Sequence, residues 1–485
     1  MYRLSRSALF ALIGAHVLNL IVALLWPNVG CSFVATGLFV TAVALLFRAD
    51  VVAMWLLLPF IIAQLSVMVS LLFIEAGSYM VEMGEGGHPS SASASFGAYS
   101  LIFLLTSQAV FRRLRGDVET AEIQAARRSF PVHLLFQWVL ALFAAACVGY
   151  VLIAGLRTGF PLLSGMDRFV FRRLYADVLT VNILDLKFTP PIVLGALAAF
   201  AQRPAIRKWA FAAFAGLMLS SFLYGEKFFI ILVSIGSFIV PFVIRGPRSA
   251  IHMLTKAAPM IAIGVGCVLA ATYVIYSDYG ARSSAETLSR LGDRVSEQGQ
   301  IWFVAVEHAS RLIRFDIALV ERNLASLFAA NPQDYAFQHH LAVLHFIYHY
   351  APPAMYRSFQ HNAGFVTPTM GYEAYGLVMF GYVGVAVQML LTGVFLGWLL
   401  SYLCRMIVRG RFFAVLLPAF ILNQTVKLLS QGTLYILLSV SVFKAYAAFL
   451  VLQLLVEAVS RGLDPAQHDS GLAGEATGGP PLRER

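Results

Sequence analysis

The chain has 485 residues, of which 59% are hydrophobic and 12% charged, with a mean hydropathy of +0.76. A soluble domain carries about 25% charged residues, so this composition places the chain in a bilayer and excludes soluble enzymes and nucleic-acid-binding proteins. The formal charge of +10, from 35 Lys and Arg against 25 Asp and Glu, is then a topology signal, because basic residues between apolar spans set orientation.

A membrane span needs about 20 apolar residues. Twelve runs qualify: 8–26, 30–47, 52–75, 95–111, 134–155, 187–202, 206–224, 228–244, 257–276, 375–403, 412–428 and 431–456. The first has Arg3 and Arg6 ahead of it and no small-residue cleavage site behind it, so it is expected to remain in the protein. With the N-terminus inside, Arg48, Arg112, Arg113, Arg115, Arg203, Arg207, Lys208, Arg245, Arg405, Arg409 and Arg411 all fall on the inner side. The outer connection 77–94 has no Lys or Arg. Every short loop except 156–186 obeys the positive-inside rule, which places both termini in the cytoplasm. Cys31, Cys147, Cys267 and Cys404 lie in or beside apolar runs without CxxC spacing, and buried thiols are expected.

The expected fold is all-α, because only helices or closed barrels satisfy backbone groups in lipid and these runs are too long for barrel strands. Residues 1–276 hold nine spans and an outer loop at 156–186. Residues 277–372 form a large, mainly helical outer loop, 373–457 hold three more spans, and 458–485 form a Gly- and Pro-rich tail expected to be disordered.

The large loop carries Arg282, Arg290, Arg294, Arg311, Arg314, Arg322 and Arg357 but no lysine. Arginine offers a planar fork for bidentate contact with phosphate or carboxylate, so this bias points to an anionic ligand. Arg290, Arg294 and Gln298 recur at i, i+4 and i+8 and share a helical face, with Gln300 just beyond. Asp293 and Glu297 lie beside that face, and an ordinary solvated helix is the alternative. Trp302 stands close to Gln300, His308 and Arg311. Such a set suits a sugar, with a ring face on the pyranose and amides and guanidinium groups on its hydroxyls; core packing is the competing explanation. His345 and His349 have the spacing of a helical metal pair, but HFIYH lacks the glutamate of HExxH, so no metal is expected. Proton transfer is a better use for a histidine, and His361 lies in a Gly- and Pro-punctuated return to the membrane. Glu226 and Lys227 stand between two spans, as functional residues or as a turn pair reaching the headgroups, and Lys444 falls inside the last apolar run.

The stretch GFPLLSGMDRF, with Gly159, Pro161, Leu162, Leu163, Gly165 and Arg168, resembles the element that opens an outer loop in bacterial oligosaccharide repeat-unit polymerases, the family that includes O-antigen polymerases. The resemblance continues through the GEK turn at Gly225 to Lys227, the RVSEQGQIWF segment at Arg294 to Phe303, and TPTMGYEAYG. It implies a multi-pass protein of the bacterial inner membrane that polymerises undecaprenyl-diphosphate-linked oligosaccharide at the periplasmic face. It further implies a flippase and a chain-length regulator as partners, and no cofactor. The reaction needs fixed cations for two diphosphates and a general base for the acceptor hydroxyl. Arg168, Arg172, Lys227, Arg282, Arg290, Arg294 and Arg311, with Gln298, Gln300, Trp302 and Tyr372, are the expected binding residues; Glu226, His308 and His361 are candidate bases. No DxD-like acidic pair stands in an outer loop, and metal-independent transfer is expected.

An O-antigen ligase shares this topology and donor, and composition does not separate the two. A flippase or other transporter would spread ionisable residues through many spans, which are mostly clean here. A lipid-phosphosugar-dependent mannosyltransferase would carry an acidic pair in the first outer loop, where residues 27–29 are Pro, Asn and Val.

Overall fold

The computed structural model describes residues 6–115, 131–166, 168–186, 189–201, 203–226, 228–246, 297–308, 312–329, 341–361 and 371–463, with Thr255 and Gly266. The chain opens with α1 (Arg6–Leu25), α2 (Val29–Ala49), α3 (Val51–Leu56) and α4 (Leu58–Glu75). A short antiparallel hairpin follows, β1 (Tyr79–Met80) and β2 (Glu85–Gly86), in which Tyr79 pairs with Gly86. Then come α5 (Ala92–Arg115), α6 (Pro131–Thr158), α7 (Pro161–Ser164), α8 (Arg168–Leu174), α9 (Val178–Asp185), α10 (Thr189–Phe200), α11 (Pro204–Leu223) and α12 (Phe228–Arg245). The C-terminal part contains α13 (Gln300–His308), α14 (Ile317–Ala325), α15 (Val343–Tyr350), α16 (Pro353–His361), α17 (Gly371–Val408), α18 (Phe412–Gln431), α19 (Tyr435–Leu438) and α20 (Val440–Leu463).

Nine described helices are long and apolar enough to cross a membrane, and ten if α9 and α10, bent by 63°, are one span; residues 231–245 form a shorter apolar helix. The protein is an all-α polytopic membrane protein. The expected span 257–276, apart from Gly266, and the tail beyond Leu463 lie outside the described residues.

One end of the bundle is basic. Arg112 and Arg115 approach the buried Asp50 at 3.9 Å each. Arg207 and Arg245 donate to the carbonyls of Ala201 and Ala199 at 2.7 Å, where the last turn of α10 leaves acceptors unpaired. Arg411 reaches Glu457 at 3.6 Å.

The opposite end is tied together by a carboxylate. Glu75 closes α4 and is fully buried. It accepts from the Ser32 hydroxyl of α2 at 2.5 Å, from the Ser90 hydroxyl at 2.6 Å, from the Ala92 N–H at 3.0 Å, and from the Ser93 hydroxyl. A negative charge at the start of α5 also complements that helix's dipole.

The described parts of the large loop are mainly helical, as expected, and two of them pack into the bundle. Helix α13 is buried from Gln300 to Val306, with the Gly299 N–H on the Ser70 hydroxyl at 2.7 Å. Helix α15 is buried from Val343 to Ile347. Their apolar content was legible, but each is too short to count as a span. Helix α17, expected as a straight span, reverses at Gly381 (φ 72°, ψ −176°). Tyr372 Oη lies 2.8 Å from Thr392 Oγ1, and Gln388 Nε2 donates to the Tyr372 carbonyl at 3.1 Å. In one straight helix, residues twenty apart would be about 30 Å apart, so 371–380 is a short arm folded antiparallel on the long arm 382–408. The short arm starts where α18 ends: a Cβ on Gly432 (φ +80°) would sit 2.7 Å from the Gly371 carbonyl oxygen and 3.0 Å from the Ala342 Cβ. Ala342 itself holds a positive φ of 50°. Lys444 lies within the last candidate span, 435–459, as expected, and is exposed in the second turn of α20, just after the break at Ser439 between α19 and α20.

Only glycine populates the Gly381 conformation without strain of about 1–3 kcal/mol. Gly381→Ala is therefore expected to lower the thermal midpoint of the detergent-purified protein by several degrees. Gly14→Ala, inside α1 with negative φ and nothing within 4 Å of its Cβ position, should keep or raise it, since Ala is the better helix former; a Gly381→Ala midpoint no lower than wild type would refute the assignment.

Candidate functional site

The GFPLLSGMDRF stretch begins where α6 ends. Gly159 (φ +84°) turns the chain, Pro161 opens α7, and Gly165 (φ +64°) stops it one turn later. This double turn sets α8 beside the end of α11. There Tyr224 and Gly225 (φ +69°) form the turn, with the Gly225 N–H on the Phe222 carbonyl and the Glu226 N–H on the Ser221 carbonyl, both at 2.9 Å. Phe160 and Phe171 pack edge-on against the Tyr224 ring at 5.4 and 5.6 Å, and the Tyr224 hydroxyl donates to the Val151 carbonyl at 2.9 Å.

Two arginines one helical turn apart face this corner. Arg168 Nη1 donates to the Gly225 carbonyl at 2.9 Å. Arg172 Nη2 is bound to Glu226 Oε1, and its Nη1 lies 3.4 Å from Asp185 Oδ1. The Glu226 side chain is almost wholly buried, so it is an inward-facing partner of Arg172 and not a turn residue reaching the headgroups. Asp185 comes from the end of α9, just before the bend, and its carbonyl accepts from Asn423 Nδ2 of α18 at 3.4 Å. Asp177 caps α9. The Thr180 hydroxyl, then the Thr180 N–H, the Tyr150 hydroxyl and the Leu179 N–H hold its carboxyl down at about 2.

A second polar group lies where α13 meets the β1–β2 hairpin. Gln300 Nε2 is bound to Glu82, and His88 to Glu307. His308 is exposed and stacks on Tyr350 at 4.3 Å. Burial, and then the Glu307 carboxylate, push Glu85 above the usual carboxylate range, against the pull of His308 and His88.

The structure thus brings Arg168, Arg172 and Glu226 together at one corner, and Gln300 and His308 at the other. Trp302 is a core residue: it is fully buried, with edge contacts to Phe96 and Tyr99 at 5.7 Å and its Nε1 donating to the Ala92 carbonyl at 2.9 Å. Its ring is therefore closed to a sugar, and the packing explanation describes it. Tyr372 joins the two arms of α17 through Thr392 and belongs to neither corner. Gln298 is half-buried in the turn before α13. Lys227, Arg282, Arg290, Arg294 and Arg311 lie outside the described residues, as does the side chain of His361, whose backbone closes α16. His345 and His349 have ring centroids 4.4 Å apart, and among the described residues no group of three or more His, Cys, Asp or Glu has the geometry of a metal site.

Asp185, Asn423, Glu75 and Glu85 are not among the residues the sequence singles out. The signal for Asn423 was present, since an amide inside an apolar run calls for a partner. Nothing local marked Glu75, which looks like an ordinary span end until its serine donors are seen.

Fold and site together define a polytopic helical membrane protein with an arginine–carboxylate corner. Residues 343–445 match the model of a family of unknown function, DUF6418. That stretch runs from α15 into α20 and so includes Gly381 and Asn423, but neither Arg172 nor Glu226. No curated protein and no solved structure matches the chain.

Removing one member of a buried ion pair costs about 3–5 kcal/mol, while replacing both by apolar groups of similar size is often neutral. Arg172→Met is therefore expected to destabilise the protein strongly in a detergent thermal scan, and Arg172→Met with Glu226→Leu to recover most of the loss. Additive losses would show that the pair is not coupled.

For Glu85 the folded pKa is raised, so its contribution to stability is present below the ordinary glutamate value near 4.3 and lost as pH rises through the folded value. Glu85→Gln should match wild type in acid and exceed it at neutral pH; the reverse order in pH-dependent melting would refute this.

Proposed function

We propose that the protein polymerises lipid-diphosphate-linked oligosaccharide repeat units into a surface polysaccharide, at the outer face of a bacterial inner membrane. One observation carries the reading. The GFPLLSGMDR and YGEK stretches, two of the elements through which the chain resembles repeat-unit polymerases, lie far apart in sequence yet meet in space. Arg168 binds the Gly225 carbonyl and Arg172 binds Glu226.

In this reading the basic end, with Arg112, Arg207, Arg245 and Arg411, faces the cytoplasm. The other end faces outward and carries both polar corners. In the transfer step the acceptor hydroxyl oxygen bonds to the anomeric carbon of the growing glycan. The bond from that carbon to the diphosphate oxygen breaks, and lipid diphosphate leaves with the electron pair. Arg168 and Arg172 meet the charge that develops on the leaving group, where fixed donors are worth most. Glu226 and Asp185 hold the Arg172 guanidinium in place, which makes Glu226 a positioning partner and leaves His308 and His361 for the hydroxyl proton.

A ligase would use the same donor. A flippase draws support from the bend between α9 and α10, since discontinuous helices frame transporter sites. Surface glycan from a deletion strain, separated on a gel, distinguishes the three. The polymerase reading expects lipid core bearing a single repeat unit, and a ladder restored by wild type. Arg168→Ala, present in membranes at wild-type level by immunoblot, should lower polymer by about tenfold or more, the loss of a transition-state contact worth about 1.4 kcal/mol or more. Bare core with accumulated polymeric lipid-linked glycan identifies a ligase, and bare core with unpolymerised lipid-linked units a flippase.

A further inference from the structure

The segment before and through α14 carries an apolar surface that the bundle leaves open. Residues 312–316 run as an extended strap along the tip of the α17 hairpin. The Arg314 N–H donates to the Phe380 carbonyl at 3.2 Å, the Asp316 N–H to the Met379 carbonyl at 2.9 Å, and the Val383 N–H to the Leu312 carbonyl at 3.1 Å. These bonds fix the strap, yet its side chains point away from the core. Leu312, Ile313, Phe315 and Ile317 are each about two-thirds exposed.

Helix α14 continues the surface. Asp316 caps it by accepting from the Leu319 N–H at 3.1 Å, while Leu319 and Asn323 turn inward. Ile317 and Leu324 recur at i and i+7 on one side of α14, and the 3-10 turn Ser326–Phe328 that follows leaves Phe328 80% exposed. Glu321 stands on that side, between Ile317 and Leu324, while Arg322 is exposed on the flank of the helix and Arg314 is paired with Asp316 at 2.8 Å. An apolar edge next to a charged flank on one exposed helix is the geometry of an element lying at a lipid–water boundary.

What covers this edge follows from its neighbour. The long arm of α17 exposes Val383, Val387, Leu391, Val394 and Trp398 in a single stripe, the lipid-facing side of a membrane span. Val383 heads that stripe and is the residue whose N–H binds Leu312. The open apolar edge of the strap is thus continuous with a surface that already meets hydrocarbon.

We propose that residues 312–328 form a membrane-surface strap whose apolar edge, Leu312, Ile313, Phe315, Ile317, Leu324 and Phe328, lies in the acyl–headgroup boundary of the leaflet at the non-basic end of the bundle. The strap holds the tip of the α17 hairpin at a fixed height on the bilayer. This assignment is independent of the reaction proposed above.

The test uses the full-length chain with the photoreactive residue p-benzoylphenylalanine in place of Phe315, Phe328 or, as control, Arg322. Each protein is reconstituted in phosphatidylethanolamine–phosphatidylglycerol vesicles, irradiated and analysed by mass spectrometry. Phe315 and Phe328 positions should yield acyl-chain adducts about tenfold above the Arg322 position. Lipid adducts no higher than the Arg322 level, or adducts only to protein, whether a second copy or another part of the chain, would overturn the proposal. Phe328 makes none of the strap's backbone bonds, so its variant keeps the test decisive if replacing Phe315 disturbs folding.

Discussion

A backbone group that leaves a helix inside a membrane protein must find a partner within the protein, and this fold is organised around that requirement. At Gly381 the chain reverses direction, which releases the carbonyls of Met379 and Phe380 from the helical ladder. The strap 312–316 supplies N–H groups to both and accepts from Val383 in return. Tyr99 donates its hydroxyl to the Tyr382 carbonyl at 2.9 Å, on the other side of the reversal. The break therefore costs few hydrogen bonds, and it lets a short arm, α13 and the strap assemble into one layer over the end of α5.

Charged groups follow the same rule. Arg172 is divided between Glu226 and Asp185, and Asp185 is in turn held through its carbonyl by Asn423. Four segments, α8, α9, the turn after α11, and α18, thus converge on one guanidinium. An arginine so constrained is a fixed donor with little freedom to reorganise, the property a site for a charged leaving group requires. Arg168, one turn earlier, adds a second guanidinium to the same corner and is held there by the Gly225 carbonyl.

Much of this was legible in the residues. Long apolar runs gave the spans, because desolvation of a helix face leaves a strong mark on composition. Arg112, Arg115, Arg207, Arg245 and Arg411 fall at one end of the bundle. The GFPLLSGMDR and GEK stretches could be identified as elements, since Gly159, Gly165 and Gly225 mark turns that need positive φ. Their meeting could not be read, because it depends on how α6, α8 and α11 pack and not on any local signal. The burial of α13 was hidden for a different reason. QIWFVAV between charged residues reads equally well as a helix with a ligand-facing side or as a buried plug, and only the Ala92 carbonyl on Trp302 Nε1 decides it. The reversal at Gly381 was masked by uniform hydropathy on both of its sides: GLVMFGYVGVAVQ looks like one span, and nothing local sets Gly381 apart from Gly376 and Gly384.

The carboxylate of Glu75 carries a consequence for how the chain enters the bilayer. Ser32 is made before it, but Ser90, Ala92 and Ser93 emerge only after it. During synthesis α4 thus ends in an acid with one donor, and the remaining donors arrive with the first turn of α5. The carboxyl that closes α4 has its full set of donors only when the first turn of α5 is in place, which ties the packing of α4 on α2 to the helix that follows both.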